Sequence, residues 1–392
     1  MGPLPPAPGA RRRVSARVRR NRAVAALVVV VLAVAVGLVV SGGGSTPPPS
    51  HRTTTTAAAR AMFPPSRDPA THLAPGSDPS VLPGPVLVAD EGNDRLLVVD
   101  PQGRTLWSFP RPGDLSPGVQ FKSPDDAFFT PDGKEIIATE EEYSVVTLID
   151  VATRRILWRY GTPGVPGDGA NQLSNPDDAI VLPDRYVLTA DIKNCRLLLV
   201  PPGGHAPARV YGMTTQACRH DPPARFGSPN GAFPMRNGHY LVTEINGDWV
   251  DEMDLSGTVY RSWHPPGVGY PSDSNEVRPG VYLTVDYGSP GQVETFDAAG
   301  TLLWRFRPTG AAALDHPSLA LPLPNGDVIS TDDGNSRIVV IDPRTNAVVW
   351  QYGVRGQPGE SAGFLNAVDG LDLVPPWSDL VTHGATMGLP PP

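Results

Sequence analysis

The apolar positions of this chain fall into short runs separated by turn residues. The stretch 319–353 contains four such runs, and the first three end at PNG (324–326), DDGN (332–335) and DP (342–343). Each run has the length of a strand and is rich in β-branched or aromatic residues. The pattern predicts four strands joined by tight turns, which form one antiparallel sheet.

The same pattern recurs along the chain. Runs that match the second strand each close with an acidic residue, at spacings from 42 residues (Glu244 to Asp286) to 53 residues (Asp191 to Glu244). The six closing acids are Asp90, Glu140, Asp191, Glu244, Asp286 and Asp332. Runs that match the fourth strand carry Trp107, Trp158, Tyr211, Tyr260, Trp304 and Trp350. Six such repeats predict an all-β fold, a six-bladed β-propeller of four-stranded antiparallel blades.

The first repeat lacks an opening strand. Four other repeats open with the related phrases SPDDAFF (from 123), NPDDAIVL (from 175), SPNGAFPM (from 228) and HPSLALPL (from 316). A matching phrase, LNAVDGLDLVP, occurs after the sixth repeat at 365–375. We expect it to supply the innermost strand of the first blade, because a closed ring leaves no exposed sheet edge. The propeller then spans 81–375, followed by a C-terminal tail at 376–392.

The N-terminal segment has a different composition. It has seven arginines between Arg11 and Arg22, no acidic residue before Asp68, and no charge in the eighteen residues 23–40. A helix of that length spans about 27 Å, close to the ~30 Å hydrocarbon core of a membrane. We therefore predict a cytoplasmic basic tail at 1–22, a transmembrane signal-anchor helix at 23–40 and a disordered linker rich in Pro, Thr and Gly at 41–80. The alternative is a cleaved signal peptide and a secreted protein.

Two groups of phrases resemble known repeats. ADEGNDRLLVVD (89–100) and STDDGNSRIVVID (330–342) resemble NHL repeats, whereas DVATRRILWRYG and DPRTNAVVWQYG resemble the Trp-bearing PQQ-like repeats of quinoprotein-like propellers. The resemblance covers about 81–375 and implies the fold, but such repeats serve enzymes, scaffolds and receptors alike. Quinoprotein dehydrogenases have more blades and an adjacent cysteine pair, so the resemblance argues against PQQ as a cofactor.

Two sets of polar residues are expected on one face, where first strands begin and second strands end. The closing acids recur in every repeat, which favours a structural role: each carboxylate accepts N–H bonds from the hairpin that follows it. The inner set lies at the first-strand starts and points to the mouth of the central channel. It consists of Asp125, Asp126, Asp177, Asp178, Asn230, Asp273, Asn275, His316, Asn366 and Asp369.

The inner set is a candidate ligand-binding site. Two carboxylates ~10 Å apart repel by roughly 1.7 kcal/mol at an effective dielectric of about 20, so several at one mouth require a cation, an arginine or protonation. Carboxylate and amide oxygens suit Ca²⁺, and the predicted metal ligands are Asp125, Asp126, Asp177, Asp178 and His316. The alternative is that half of these side chains cap turns. No catalytic residue is assigned, because no GxSxG or HExxH motif occurs.

The two cysteines are expected to form a disulfide. Cys195 lies in the hairpin between the second and third strands of blade three, and Cys218 lies in the loop that leads to blade four. Both loops belong to the same face, on the exported side where disulfides persist. The alternative is a reactive or metal-binding thiol at Cys218, beside His220.

Charge limits the partners. Nine of the 32 basic residues precede residue 61, which leaves 23 against 40 acidic residues and argues against nucleic-acid binding. Since only positions 122, 134 and 193 are lysine, we expect a GC-rich bacterial genome. We expect a propeller anchored outside the bacterial cell membrane, a scaffold for an envelope protein, peptide, glycan or small ligand. The alternative is an exported lyase, lactonase or transferase with a metal-assisted site at the channel mouth.

Overall fold

Six four-stranded antiparallel sheets form the blades of a propeller in residues 62–214 and 217–375, the part of the chain that this computed structural model describes. The innermost strands are β24 (Val368–Leu373), β4 (Pro124–Phe129), β8 (Pro176–Val181), β12 (Pro229–Pro234), β16 (Pro271–Arg278) and β20 (Ala320–Pro322). The second strands are β1 (Val86–Asp90), β5 (Glu135–Glu140), β9 (Val187–Asp191), β13 (Tyr240–Glu244), β17 (Val281–Asp286) and β21 (Val328–Asp332).

The outer half of each blade contains two further strands. The third strands are β2 (Arg95–Val99), β6 (Val145–Asp150), β10 (Arg196–Val200), β14 (Trp249–Met253), β18 (Gln292–Asp297) and β22 (Arg337–Asp342). The fourth strands are β3 (Thr105–Phe109), β7 (Ile156–Gly161), β11 (Arg209–Gly212), β15 (Val259–Trp263), β19 (Leu302–Phe306) and β23 (Ala347–Tyr352). Short 3₁₀ helices lie at Pro79–Val81, Glu91–Asn93, Ile192–Asn194, Gly310–Ala312 and Asp333–Asn335. The predicted six-bladed fold is confirmed, and every second strand ends at its predicted acid.

The ring closes as the repeat pattern predicts. β24, from the C-terminal end of the described chain, pairs antiparallel with β1, with Val86 opposite Leu373 and Leu87 opposite Asp372. Asp372 also accepts a hydrogen bond from the backbone N–H of Phe129 in blade two, at 2.9 Å. Blade one is therefore built from both ends of the repeat region, and its inner strand is bonded to the next blade.

The fourth-strand aromatic residues join neighbouring blades. In each blade an indole N–H or phenol O–H donates to a residue just beyond the third strand of the next blade, at 2.7–3.1 Å. The six donors are Trp107, Trp158, Tyr211, Trp263, Trp304 and Trp350. In blade four the fourth strand carries Tyr260, as predicted, but Tyr260 is half exposed, and Trp263 at the end of the same strand makes the contact.

Residues 62–80 pack against the propeller, so the prediction of a disordered linker up to residue 80 was wrong for this part. Phe63 is buried and meets Phe129 edge to face, with ring centroids 6.1 Å apart. Leu73 forms a β-bridge with Tyr352 of blade six. Three predicted segments lie outside the described residues: the basic tail and anchor helix (1–40), the first part of the linker (41–61) and the C-terminal tail (376–392). Within those residues, no helix is both long and apolar enough to span a membrane.

The predicted disulfide is confirmed. Cys195 and Cys218 are bonded, with their Cα atoms 5.1 Å apart. Cys195 follows the 3₁₀ helix Ile192–Asn194 directly, and Cys218 lies in the connection between β11 and β12. The bond therefore attaches that connection to the hairpin of blade three.

Candidate functional site

The starts of the innermost strands are shaped to turn side chains towards the channel. The residue two places before the first acidic or polar position has a left-handed backbone in five blades, at Ser123, Asn175, Ser228, His316 and Ala367. Register shifts lie at the starts of β4, β8, β12, β16 and β24. The shift in β16 has no left-handed residue before it, and β20, which follows His316, has no shift. Such bulges place two consecutive side chains where an unbroken strand would place one, so paired residues such as Asp125 and Asp126 both lie at the channel.

The paired positions form two layers around the channel. The upper layer contains Asp125, Asp177, Asn230, Ser272, Ser318 and Asp369. The three uncharged residues of this layer are hydrogen-bonded to one another: Asn230 donates to Ser272 at 3.0 Å, and the hydroxyls of Ser272 and Ser318 are 2.9 Å apart. The lower layer contains Asp126, Asp178, Gly231, Asp273, Leu319 and Gly370.

Three groups of carboxylates converge within these layers. In each group the ligand oxygens lie within 4.8 Å of one another. The groups are Asp125, Asp126 and Asp177; Asp126, Asp178 and Asp273; and Glu91, Asp125 and Asp369. Asp126 and Asp125 each belong to two groups, so the three groups are continuous.

The converging carboxylates are buried and short of partners. Asp126 is 1% exposed and Asp273 is also 1% exposed. In the described part of the chain, nine of the buried oxygens of these six aspartates have no hydrogen-bond partner. They belong to Asp125, Asp126, Asp177, Asp178, Asp273 and Asp369. Buried carboxylates without partners are costly, so the cluster requires protons or a cation.

Burial raises the pKa of these acids. The pKa of Asp273 is raised by burial to about 7. Burial and the charge of neighbouring aspartates hold the pKa of Asp125, Asp126 and Asp178 well above the usual value. Without a cation, the cluster is therefore partly protonated near neutral pH.

The channel is closed below the carboxylates. Phe128 of blade two and Phe233 of blade four meet edge to face, with centroids 5.4 Å apart, and both are buried. They belong to an apolar cluster that also contains Ile180, Leu321 and Leu371. The apolar cluster therefore closes the channel on one side of the acidic layers. On the other side, these layers form the floor of the channel mouth.

A third polar layer at the mouth was missed in the sequence reading. It is formed by residues that directly follow the closing acids, of which Glu91, Glu141, Tyr287 and Asp333 are polar. Tyr287 donates to Asp333 at 2.9 Å, and Glu141 accepts from Asn175 at 2.9 Å. Burial raises the pKa of Glu91 to about 7. The sequence contained a signal for this layer, because the position directly after the closing acid can be located in every repeat and is polar in four of them.

Three of the predicted residues do not join the converging carboxylates. Asn275 donates to the Ala320 carbonyl of the next blade at 3.2 Å, and Asn366 donates to the Gly92 carbonyl at 3.0 Å. His316 pairs with the neighbouring Asp315 at 2.7 Å and is 42% exposed. Its imidazole is not among the converging groups of the described residues. The two asparagines hold a blade contact and a turn, whereas His316 lies at the mouth beside Tyr287, with ring centroids 4.8 Å apart.

The closing acids are structural, but with a different partner from the one expected. Each accepts a hydrogen bond from a backbone N–H in the segment that enters the innermost strand of its own blade. Examples are Asp90 with Asn366 at 2.7 Å and Asp332 with Asp315 at 2.7 Å. The expected source, the following hairpin, supplies side chains instead, such as Asn93 to Asp90 at 2.9 Å.

Comparisons with known proteins agree with this fold. Residues 272–374 match the PQQ_2 family, described as outer membrane protein assembly factor BamB. This confirms the resemblance to PQQ-like repeats in that part of the chain. No protein of curated function matches the sequence.

Solved structures show the same architecture. A protein of unknown function from Bacteroides caccae is 18% identical, with a TM-score of 0.51, over 74% of this chain and 97% of that chain. A chain of the nidogen/laminin complex is 14% identical, with a TM-score of 0.50, over 74% and 97%. A streptogramin B lyase is 14% identical, with a TM-score of 0.48, over 75% and 86%. At these identities the likeness concerns the fold alone.

Proposed function

We propose that this protein is a binding scaffold that holds a divalent cation, Ca²⁺, in its channel mouth and receives its partner on that face. The observation that carries the proposal is the set of nine buried oxygens without hydrogen-bond partners in the described residues, on six aspartates from four blades, one of which is built with the C-terminal strand. Like charges about 4 Å apart repel by roughly 4 kcal/mol at an effective dielectric of about 20. A bound divalent cation turns this repulsion into coordination.

The donor set favours Ca²⁺ over softer metals. All the converging atoms are carboxylate oxygens, which are hard ligands, and Ca²⁺ accepts six to eight of them in irregular geometry. The residues that would hold the ion are Asp125, Asp126, Asp177, Asp178, Asp273 and Asp369. Glu91 lies at the outer side of this set, where a ligand from a partner could complete the coordination.

A scaffold role agrees with the remaining surface. Six of the large apolar residues that are exposed lie on fourth strands, at the rim of the propeller: Leu157, Val210, Tyr260, Leu302, Leu303 and Val348. The matched family takes its description from an assembly factor, and one structural relative comes from a protein complex. Both likenesses are in keeping with a protein or peptide partner.

The envelope location of this scaffold rests on sequence features. The arginine-rich segment 11–22 and the apolar segment 23–40 favour an anchor with a cytoplasmic N-terminus. The Cys195–Cys218 disulfide is in keeping with an exported propeller. Fusion of a periplasm-active reporter after residue 375 tests this topology, and reporter activity only in the cytoplasm would contradict it.

An exported enzyme is the second candidate, and Glu91 favours it. Without a cation, burial and neighbouring acids raise its pKa to about 7, which suits a general base, and it lies beside Asp125 and Asp369. Activity on a panel of lactones and glycans, measured with and without Ca²⁺ and lost in Glu91→Gln, would support this candidate. The same panel without any turnover favours the scaffold.

Calcium binding tests the main proposal directly. The full chain, freed of metal with EDTA, is titrated with Ca²⁺ by calorimetry and by thermal melting. Stabilisation by mass action reaches about 2.7 kcal/mol at a ligand concentration of about 100 Kd. An unchanged melting temperature in millimolar Ca²⁺, with no heat of binding, would contradict the cation site.

A further inference from the structure

Blade four lacks an arginine that the other blades use near their buried acids. In blades one, three and six an arginine begins the third strand, opposite the closing acid, as in the pairs Asp90–Arg95, Asp191–Arg196 and Asp332–Arg337, at 2.6–2.8 Å. In blades two and five the arginine lies on the fourth strand, as in Glu140–Arg159 and Glu294–Arg305, at 2.8–2.9 Å. Each arrangement neutralises a carboxylate that is fully buried.

Both arginine positions hold other residues in blade four. Trp249 lies opposite the closing acid Glu244, where Arg95 lies opposite Asp90 in blade one. Ser262 lies opposite Asp251 on the fourth strand, where Arg305 lies opposite Glu294 in blade five. Asp251 is a second acid of blade four. It occupies the position on the third strand that Glu294 occupies in blade five. Blade four therefore has two fully buried carboxylates, Glu244 and Asp251, and neither arginine.

A histidine from another segment takes the place of the arginine. His220 Nδ1 lies 3.1 Å from Glu244 Oε1 and 3.6 Å from Asp251 Oδ2. The three ligand atoms lie within 4.8 Å of one another. The side chains of both acids are 0% exposed, and neither oxygen of Asp251 has a hydrogen-bond partner in the described residues. A fully buried carboxylate without partners thus points at an imidazole nitrogen and a second carboxylate.

The imidazole is held in place from two sides. Its ring stacks on Trp249, with centroids 4.0 Å apart and an angle of 13° between the planes. The disulfide at Cys218, two residues earlier, ties this segment to blade three. His264 also packs against Trp249, with ring centroids 3.6 Å apart. A histidine positioned in this way loses little freedom when it binds a ligand.

The charge state suits metal binding. Burial lowers the pKa of His220, so the imidazole is neutral near pH 7 and one of its two ring nitrogens carries a lone pair. Burial and the neighbouring Asp251 raise the pKa of Glu244 to about 10. Without a metal, the two acids therefore share a proton, which a metal ion would displace.

We propose that His220, Glu244 and Asp251 form a second metal site, which binds Zn²⁺ and leaves a coordination position open. Imidazole nitrogen and carboxylate oxygen are both ligands that Zn²⁺ accepts, and three protein ligands leave a fourth tetrahedral position for water or substrate. The mixed nitrogen and oxygen set favours Zn²⁺ over Ca²⁺, which prefers oxygen alone. The site shares no residue with the acidic groups of the channel mouth.

The test compares two histidines of blade four. The full chain is freed of metal and titrated with Zn²⁺ by calorimetry, as the wild type, as His220→Gln and as His239→Gln. His239 is the matched control, because it also pairs with one carboxylate, Glu252, at 2.6 Å and stacks on Tyr260 at 4.2 Å. We expect one tight Zn²⁺ per chain in the wild type and in His239→Gln, and at least about tenfold weaker binding in His220→Gln.

Two further readouts separate this site from the channel. The double variant Asp126→Asn with Asp178→Asn should keep the tight Zn²⁺, since neither residue belongs to blade four. Titration in buffers of different ionisation enthalpy should show about one proton released per Zn²⁺. Equal Zn²⁺ affinity in His220→Gln and the wild type would overturn the proposal, as would loss of the tight Zn²⁺ in the channel double variant.

Discussion

Asp178 and Asp273 belong to blades three and five, yet their carboxyl groups lie side by side across Gly231 of the blade between them. Their oxygens are within 4.8 Å of each other and of Asp126. A Cβ at Gly231 would lie 2.6 Å from Asp273 Oδ1 and closer still to Asp178 Oδ2. The missing side chain in blade four is therefore what allows the acids of two non-adjacent blades to meet.

Filling this gap should weaken the ion site. We expect Gly231→Ala to displace both carboxylates, to cost about 1–3 kcal/mol as overpacking does, and to lower Ca²⁺ affinity. Gly269→Ala is the matched control, because a Cβ there meets nothing within 4 Å. Unfolding in urea and Ca²⁺ titration measure the two effects. Equal Ca²⁺ affinity in the two variants would show that Gly231 does not shape the site.

Removing charge from the lower layer should have opposite effects with and without metal. Asp126→Asn with Asp178→Asn relieves repulsion, so the melting temperature in EDTA should rise by about 2–4 °C for each 1 kcal/mol gained. The same variant loses ligands, so its stabilisation by Ca²⁺ should fall. Asp168→Asn, at an exposed position, serves as the control. A fall in the melting temperature in EDTA would show that the carboxylates stabilise the metal-free fold.

The metal-free protein should lose stability as pH rises from about 4 to about 7. Burial raises the folded-state pKa of Asp273 to about 7, whereas an unfolded carboxyl group titrates near 3.9. Between these values the folded state binds more protons than the unfolded state, so the free energy of unfolding falls with rising pH. The contribution is complete below about pH 4 and is lost above about pH 7. Urea unfolding in EDTA measures this slope, which saturating Ca²⁺ should flatten; a flat profile in EDTA would contradict the prediction.

The disulfide should contribute to the stability of blades three and four. Cys195 and Cys218 are 23 positions apart, and closing a loop of about that length is worth roughly 3 kcal/mol in the chain-entropy model. We expect Cys195→Ser with Cys218→Ser to lose about this amount in urea unfolding. Thiol titration of the denatured, unreduced wild type should find no free thiol. A variant as stable as the wild type would show that packing alone holds the segment.

Closure of the ring should depend on β24. A chain that ends at residue 364 lacks the innermost strand of blade one and exposes the edge of β1, so it should aggregate or unfold. A chain that ends at residue 375 keeps every strand of the propeller and is the control. Size-exclusion chromatography and circular dichroism distinguish the outcomes. A shorter chain that stays monomeric with an unchanged melting temperature would contradict closure by β24.

The sequence by itself determined the blades, their order, the closure by the C-terminal strand and the disulfide. Strand period, turn residues and the spacing of Asp90, Glu140 and their equivalents are local signals that repeat six times, so each repeat supports the others. The closing acids also read correctly as structural. Their hydrogen-bond donors were not predicted, because the entering segment lies 16–18 positions before the acid in five blades and 276 positions after it in blade one, beyond any turn pattern.

Only the tertiary structure decided which polar residues converge. Bulges in the inner strands turn both Asp125 and Asp126 to the channel, whereas His316, on the same type of phrase, faces Asp315 instead. The cluster of His220, Glu244 and Asp251 joins a loop to two strands, and no spacing in the chain encodes it. Whether side chains of different blades meet depends on the curvature of the backbone and on the space that small residues of neighbouring blades provide. Those are properties of the closed ring, and no single repeat contains them.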